Sequence, residues 1–164
     1  FSKSLIAGLR IGWVAAGKRA IEIQKLQLMS TMATSAPIQM TLVQYLTSRN
    51  YELHLKQLRK KLAERKKSMV EVLQSLLPDK VTIISQRGGY FIWLELPKHI
   101  DAIQVYREVL KQNVSITPGK MFSLTDQYNP CIRLTASFEL DNIHIRALDV
   151  LSGCITALIE GGEN

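Results

Sequence analysis

Lys3 stands between two serines, Ser2 and Ser4, and Arg10 follows it by seven residues in the stretch FSKSLIAGLR. A neutral lysine amine forms a Schiff base with an aldehyde held against it. Where that aldehyde carries a phosphate, hydroxyls, backbone amides and an arginine are suited to hold it, because the arginine fork matches phosphate oxygens. Ser2 and Arg10 supply those groups, and Gly8 and Gly12 leave room for close backbone approach. On residue types alone the combination is not specific, since a lysine near a chain start with an arginine nearby is most often solvated surface. A second arginine, Arg133, lies in CIRLTASF, where polar and apolar residues alternate. Taken alone, it reads as the polar-side member of a half-buried strand.

Other groupings carry less chemistry. His54, His99 and His144 have no spacing that would put two on one helical face, so no metal site is expected. Gly88-Gly89 matches no nucleotide-binding loop and reads as a tight approach between strands. Tyr90, Phe91 and Trp93 are assigned to the core, and Met29, Met32 and Met40 to packing. Cys131 and Cys154 sit in apolar runs and are expected to be buried thiols rather than a disulfide or zinc pair. Seven basic residues fall between Lys56 and Lys67, interleaved with leucines. They read as the solvated face of a long helix, with an anion or nucleic-acid surface as the alternative.

These side chains need elements to position them. Residues 11–16, IGWVAA, read as a buried strand ended by Gly17. A helix is predicted from about Lys18 to Ala33, and another from Pro37 to about Ser48, because proline is tolerated only in a first turn. From Tyr51 to Leu77, Leu55, Leu58, Leu62, Met69, Leu73 and Leu76 recur at helical spacing and predict one amphipathic helix of roughly 40 Å, stopped by Pro78. VTIIS and YFIWLEL predict two strands of one sheet, the second stopped by Pro97. Asp101 caps a helix that turns Ile103, Tyr106, Val109 and Leu110 to one face, and VSITPG is a strand entering a turn. CIRLTASF is a strand with Ile132, Leu134 and Ala136 on one face and Arg133, Thr135 and Ser137 on the other. Asp141 caps a last helix using Ile145, Leu148, Leu151, Ile155 and Leu158, with GGEN fraying at its end.

From residue 51 the order is helix, strand, strand, helix, strand, strand, helix. That pattern is α+β, one sheet with helices packed on it. Residues 1–50 hold a lone strand and two helices, which cannot close a sheet. They are expected to be the tail of something larger, with 51–164 a second domain; the missing initiating Met agrees. The 164 residues are 46% hydrophobic and 21% charged, which excludes disordered and collagen-like classes. No run of about 20 uninterrupted apolar residues occurs and the start lacks a signal-peptide pattern, so no membrane association and a cytoplasmic location are expected. The net charge of +7 could attract anions or nucleic acid, but its distribution matters more than its total.

SK followed by GLRIGW resembles the lysine segment of fold type I pyridoxal-phosphate enzymes, the aspartate aminotransferase superfamily. GGYFIWLELP resembles the glycine-glycine-aromatic strand of that family's small domain, VSITPGKMF the strand and turn beyond it, and CIRLTASF the strand bearing its carboxylate-binding arginine. The likeness covers essentially the whole chain. It implies an aminotransferase-like fold, with 51–164 the small C-terminal domain and 1–50 the end of the large cofactor-binding domain. It implies pyridoxal 5'-phosphate as cofactor, Lys3 as the Schiff-base lysine and proton carrier, Ser2 and Arg10 as phosphate anchors, and Arg133 as the group that grips the α-carboxylate of an amino acid. An amino acid or amine as substrate or effector, and a homodimer, are implied too. Ala7 stands where relatives often have proline, and Trp13 where tyrosine or phenylalanine is common. The family's ring-stacking, pyridine-nitrogen and remaining phosphate contacts lie upstream of the lysine. This chain is therefore expected to supply about half a site, and to bind the cofactor weakly and be inactive alone.

Two function classes share these motifs. One is a transcription regulator of the MocR type within the GntR family, in which a winged-helix DNA-binding domain precedes an aminotransferase-like domain. The other is a free-standing aminotransferase acting between an α-amino acid and a 2-oxo acid. IGWVAAG, LQLMSTMATSAPIQ and YELHLKQLRKKL resemble the regulators more. Contact with DNA would then come only from the upstream domain.

Overall fold

The computed structural model describes residues 1–162; Glu163 and Asn164, where GGEN was expected to fray, lie outside them. Contacts divide the chain into two compact units, Phe1–Leu58 and the remainder from Arg59. In the first, α1 (Ala20–Thr31) and α2 (Ala36–Leu46) form where they are predicted, with Pro37 in the first turn of α2. The missing proline N–H costs nothing there. Leu42 is buried, but α1 buries no residue.

The predicted strand over residues 11–16 does not form, and Trp13 and Val14 are 77% and 63% exposed. The run has strand composition, but a strand is stable only when neighbours take its N–H and C=O groups, and this unit has no other strand among the described residues. Met29, Met32 and Met40 are likewise exposed rather than packed.

α3 (Arg49–Leu76) is a single 28-residue helix that runs from the first unit into the second. Pro78 stands just beyond it. The second unit follows the predicted order: β1 (Thr82–Ile84), β2 (Phe91–Glu95), α4 (Ala102–Leu110), β3 (Thr117–Pro118), β4 (Cys131–Thr135) and α5 (Asn142–Gly161). Asp101 and Asp141 cap α4 and α5 as expected, accepting from Ile103 N at 2.8 Å and His144 N at 2.9 Å. The strands make one antiparallel sheet in the order β1-β2-β4-β3.

One sheet face forms the core. Ile92 and Leu94 of β2 and Ile132 of β4 are fully buried with Val105 and Val109 of α4, Leu151 and Ile155 of α5, and Leu73 of α3. Burial of each such side chain is worth roughly 1.5–3 kcal/mol, so this layer dominates the stability of the unit. α4 inserts Val105 rather than Leu110, which is exposed, and α5 packs Leu158 against the core as expected and buries Ile159 as well, with Ile145 left exposed. By length and hydropathy α5 could cross a membrane, yet it spends its apolar face on this core. Gly88 and Gly89 do not mark a tight approach: nothing lies within 4 Å of where a Cβ would sit. Both have positive φ, +79° and +62°, a left-handed turn that glycine adopts without cost.

Candidate functional site

Two groups of the predicted residues lie in different units. In the first, the lysine segment is tied to its own unit at both ends. The Phe1 backbone nitrogen donates to the Ile11 carbonyl at 3.1 Å, and Leu5 N donates back to Phe1 O at 2.9 Å. A 3-10 turn, Ala7–Leu9, ends on Arg10, whose N–H donates to Ala7 O. Arg10 is left-handed there, φ +48°, at a cost of about 1–2 kcal/mol to a residue with a Cβ. His54 on the first turns of α3 bonds through Nε2 to the Ser4 carbonyl at 2.8 Å. His54, which has no metal-ligand spacing in the sequence, thus ties the residue after Lys3 to a helix.

Lys3 and Arg10 are exposed and Ser2 is half-buried. Among the described residues, none of the three side chains is engaged in a hydrogen bond or ion pair. An exposed amine, an exposed guanidinium and a half-buried hydroxyl within ten residues are groups suited to a phosphate-bearing aldehyde. Leu5, Leu9, Ile38, Leu42 and Tyr45 line an apolar cavity of about 470 Å³ beneath the same segment.

In the second unit, Arg133 lies on the sheet face opposite the core, across from Trp93 on β2 and Thr117 on β3. Its guanidinium carbon is 4.3 Å from the centre of the Phe91 ring and 4.1 Å from that of Phe122. Trp93 meets Phe122 edge-on at 5.4 Å and Tyr128 at 5.7 Å. Asp126, in the same loop as Tyr128, is paired with Lys120 at 3.4 Å, and no acid pairs with Arg133 among the described residues. Phe91 and Trp93 are thus not core residues as assigned from sequence. They alternate with Ile92 and Leu94, so the period of two sends them to the arginine side. Tyr90, half-buried, packs its ring on Phe91 at 4.5 Å, outside the core cluster.

Lys66 was also misread. It is only 8% exposed, and its Nζ donates to the carbonyls of Gln86 and Gly88, holding the Gly88-Gly89 turn that leads into β2. The other six basic residues of that stretch are exposed or half-buried, and Arg65 donates to Ser137 O at 2.6 Å and to Glu139, fixing the chain after β4. Cys131 is buried and Cys154 half-buried; burial pushes both thiols above their ordinary range, with the Glu95 charge adding to the effect at Cys131. No cluster of metal-ligating side chains occurs among the described residues.

An antiparallel sheet of order β1-β2-β4-β3 with three helices packed on it is the α+β arrangement expected of an aminotransferase-like small domain. Residues 1–147 match the family of class I and II aminotransferases, and the chain belongs to it. It is similar to α-aminoadipate aminotransferase LysN of Thermus thermophilus, crystallised with N-(5'-phosphopyridoxyl)-L-leucine, at TM-score 0.85 and 28% identity over 98% of this chain and 41% of that one. Kynurenine aminotransferase of Pyrococcus horikoshii gives TM-score 0.87 and 26% identity, with 97% and 40% covered. In sequence, the chain is 48% identical to the HTH-type transcriptional regulator YdcR of Escherichia coli over 139 residues, 85% of this chain and 30% of that protein. It is 30% identical to the HTH-type regulator NorG of Staphylococcus aureus over 141 residues, covering 85% and 31%. The chain thus spans about a third of the length of the curated relatives it matches.

Proposed function

We propose that this chain is the C-terminal part of a pyridoxal-phosphate-binding, effector-sensing domain in a GntR-family regulator of the MocR type. The observation that carries the reading is the 48% identity to an HTH-type regulator, against 28% and 26% to the aminotransferases that share the fold. Residues 1–50 are assigned to the end of the large domain and 51–164 to the small one. Lys3 takes the cofactor aldehyde and afterwards holds or moves a proton at Nζ, while Ser2 and Arg10 hold the phosphate. Arg133 orients an amino acid by its carboxylate. When bound, the cofactor supplies an electron sink for chemistry at the α-carbon. What supports these roles is the donor set: Lys3 and Arg10 are exposed, Ser2 is half-buried, and among the described residues no acid pairs with the Arg133 guanidinium. The intact protein is assigned as a cytoplasmic homodimer that meets DNA through a separate winged-helix domain. The second reading, a free-standing aminotransferase, is supported by the family match and by the fold likeness at TM-scores of 0.85 and 0.87.

The test is on the intact protein. The absorption of its lysine–cofactor Schiff base should disappear in Lys3→Ala, and its binding to promoter DNA should change when an amino acid is added. Survival in Lys3→Ala of the absorption that belongs to the lysine–cofactor Schiff base would overturn the lysine assignment. Catalytic turnover of amino acid and 2-oxo acid by a protein without a DNA-binding segment would establish the second reading.

A further inference from the structure

Among the described residues, Arg133 is held by rings instead of by an acid. The two rings reach it from opposite sides of β4: Phe91 lies on β2 and Phe122 in the turn Gly119–Phe122 that follows β3, and β2 and β3 are the two neighbours of β4. Trp93, directly across from Arg133, packs against both Phe122 and Tyr128 and so supports the clamp from below. Rings stabilise a cation through their negative faces but offer no hydrogen-bond acceptor. A resident Asp or Glu would fill the guanidinium fork; two phenylalanines leave its N–H edge open.

We infer that Phe91 and Phe122 are positioning residues that hold the Arg133 fork edge-outward for in-plane, two-point capture of a ligand carboxylate, so that the site distinguishes amino acids from amines. The inference rests on the carboxylate role proposed for Arg133. An arginine side chain loses much rotamer freedom when it grips a ligand, and a clamp that fixes it beforehand removes that loss from the binding step. With rings 4.3 Å and 4.1 Å from its central carbon, the guanidinium keeps its N–H donors for a ligand; a carboxylate makes paired bonds with them and an amine makes none.

The test uses the intact, cofactor-loaded protein and a panel of L-amino acids, each matched with the amine that lacks its carboxylate, with dissociation constants from calorimetry. Phe122→Leu should weaken the tightest amino acid about tenfold while its amine stays within about twofold, and Phe91→Leu should act in the same direction. Phe122→Tyr, which keeps the ring, should restore most of the affinity. Phe91 and Phe122 are 37% and 40% exposed, so leucine at either leaves the core intact. Arg133→Gln should abolish the preference for the amino acid. A preference that survives Arg133→Gln, or an absence of carboxylate-dependent binding across the panel, overturns the role of Arg133 and the clamp with it. If Arg133→Gln abolishes the preference but both leucine variants bind amino acid within twofold of wild type, or lose the amine equally, the clamp alone is refuted.

Discussion

Gly119 is the position where a single methyl group should do most harm. It is buried at the start of the turn that carries Phe122, and a Cβ built on it would lie 2.4 Å from the Tyr128 carbonyl oxygen, 2.7 Å from Cys131 Cβ and 2.9 Å from the Cys131 carbonyl oxygen. Two of the three neighbours are backbone, so they cannot move aside by changing rotamer. Restoring a tolerable 3.0 Å to the Tyr128 oxygen alone requires a shift of about 0.6 Å in a segment joined to β4, a backbone displacement of the kind that costs about 1–3 kcal/mol. Gly119→Ala should therefore lower stability by that amount. Gly153 is the control: it lies exposed inside α5 with nothing within 4 Å of its would-be Cβ, so Gly153→Ala should raise stability by about 0.5–1 kcal/mol through helix propensity. Urea unfolding followed by tryptophan fluorescence reads both, since Trp93 packs on Phe122 and Tyr128. A Gly119→Ala variant within about 0.5 kcal/mol of wild type would refute the packing argument.

Lys66→Met should cost about 1–3 kcal/mol, because the carbonyls of Gln86 and Gly88 lose their donor, whereas Lys67→Met, which removes only an exposed pair with Glu71 at 3.8 Å, should fall within about 0.5 kcal/mol of wild type. Faster hydrogen exchange at the start of β2 in Lys66→Met, and not in Lys67→Met, checks the cause. The His144 backbone N–H holds the Asp141 carboxyl below the usual carboxylate range, so its stabilising effect is present above the ordinary aspartate value and is lost as pH falls through the lowered one. Asp141→Ala should accordingly be less stable than wild type at neutral pH, with the difference shrinking in acid; a gap in urea midpoint independent of pH would contradict this. Burial should make Cys131 slow to alkylate with iodoacetamide at neutral pH in the folded protein and fast after unfolding, which mass spectrometry of the labelled peptide would show.

What could be read from the residues depended on whether the determining contacts are local. The two aspartate caps were readable because a cap is settled within three residues, and the order of elements from residue 51 because period 2 and period 3.6 are visible in a window. Residues 11–16 misled because strand composition predicts a strand only when a partner exists. Phe91 and Trp93 misled because aromatic type outweighed position; their alternation with Ile92 and Leu94, matched against the Arg133 alternation on β4, carries the signal. Lys66 was placed with its charged neighbours, yet it falls four residues after Leu62 and three before Met69, on the helix stripe that turns inward. The roles of Ser2, Lys3 and Arg10 came from resemblance, since an open lysine, serine and arginine have no spacing signature of their own.

β4 ties the stability of the second unit to the chemistry proposed for it. Ile132 is fully buried and Leu134 is 8% exposed, with Arg133 between them. Because side chains alternate, a slip of one residue in register would send both aliphatic side chains to the aromatic face and bury an arginine with no acid in the core. The lost burial and an unpaired buried charge would each cost several kcal/mol, so the hydrophobic pattern of β4 itself fixes which way Arg133 points. Pairing on both sides reinforces that register, with Trp93 and Thr117 opposite Arg133, and Arg65 holds the chain just past the strand through Ser137 and Glu139. The guanidinium is thereby oriented by a core it never touches, and the two phenylalanines have only to keep its plane.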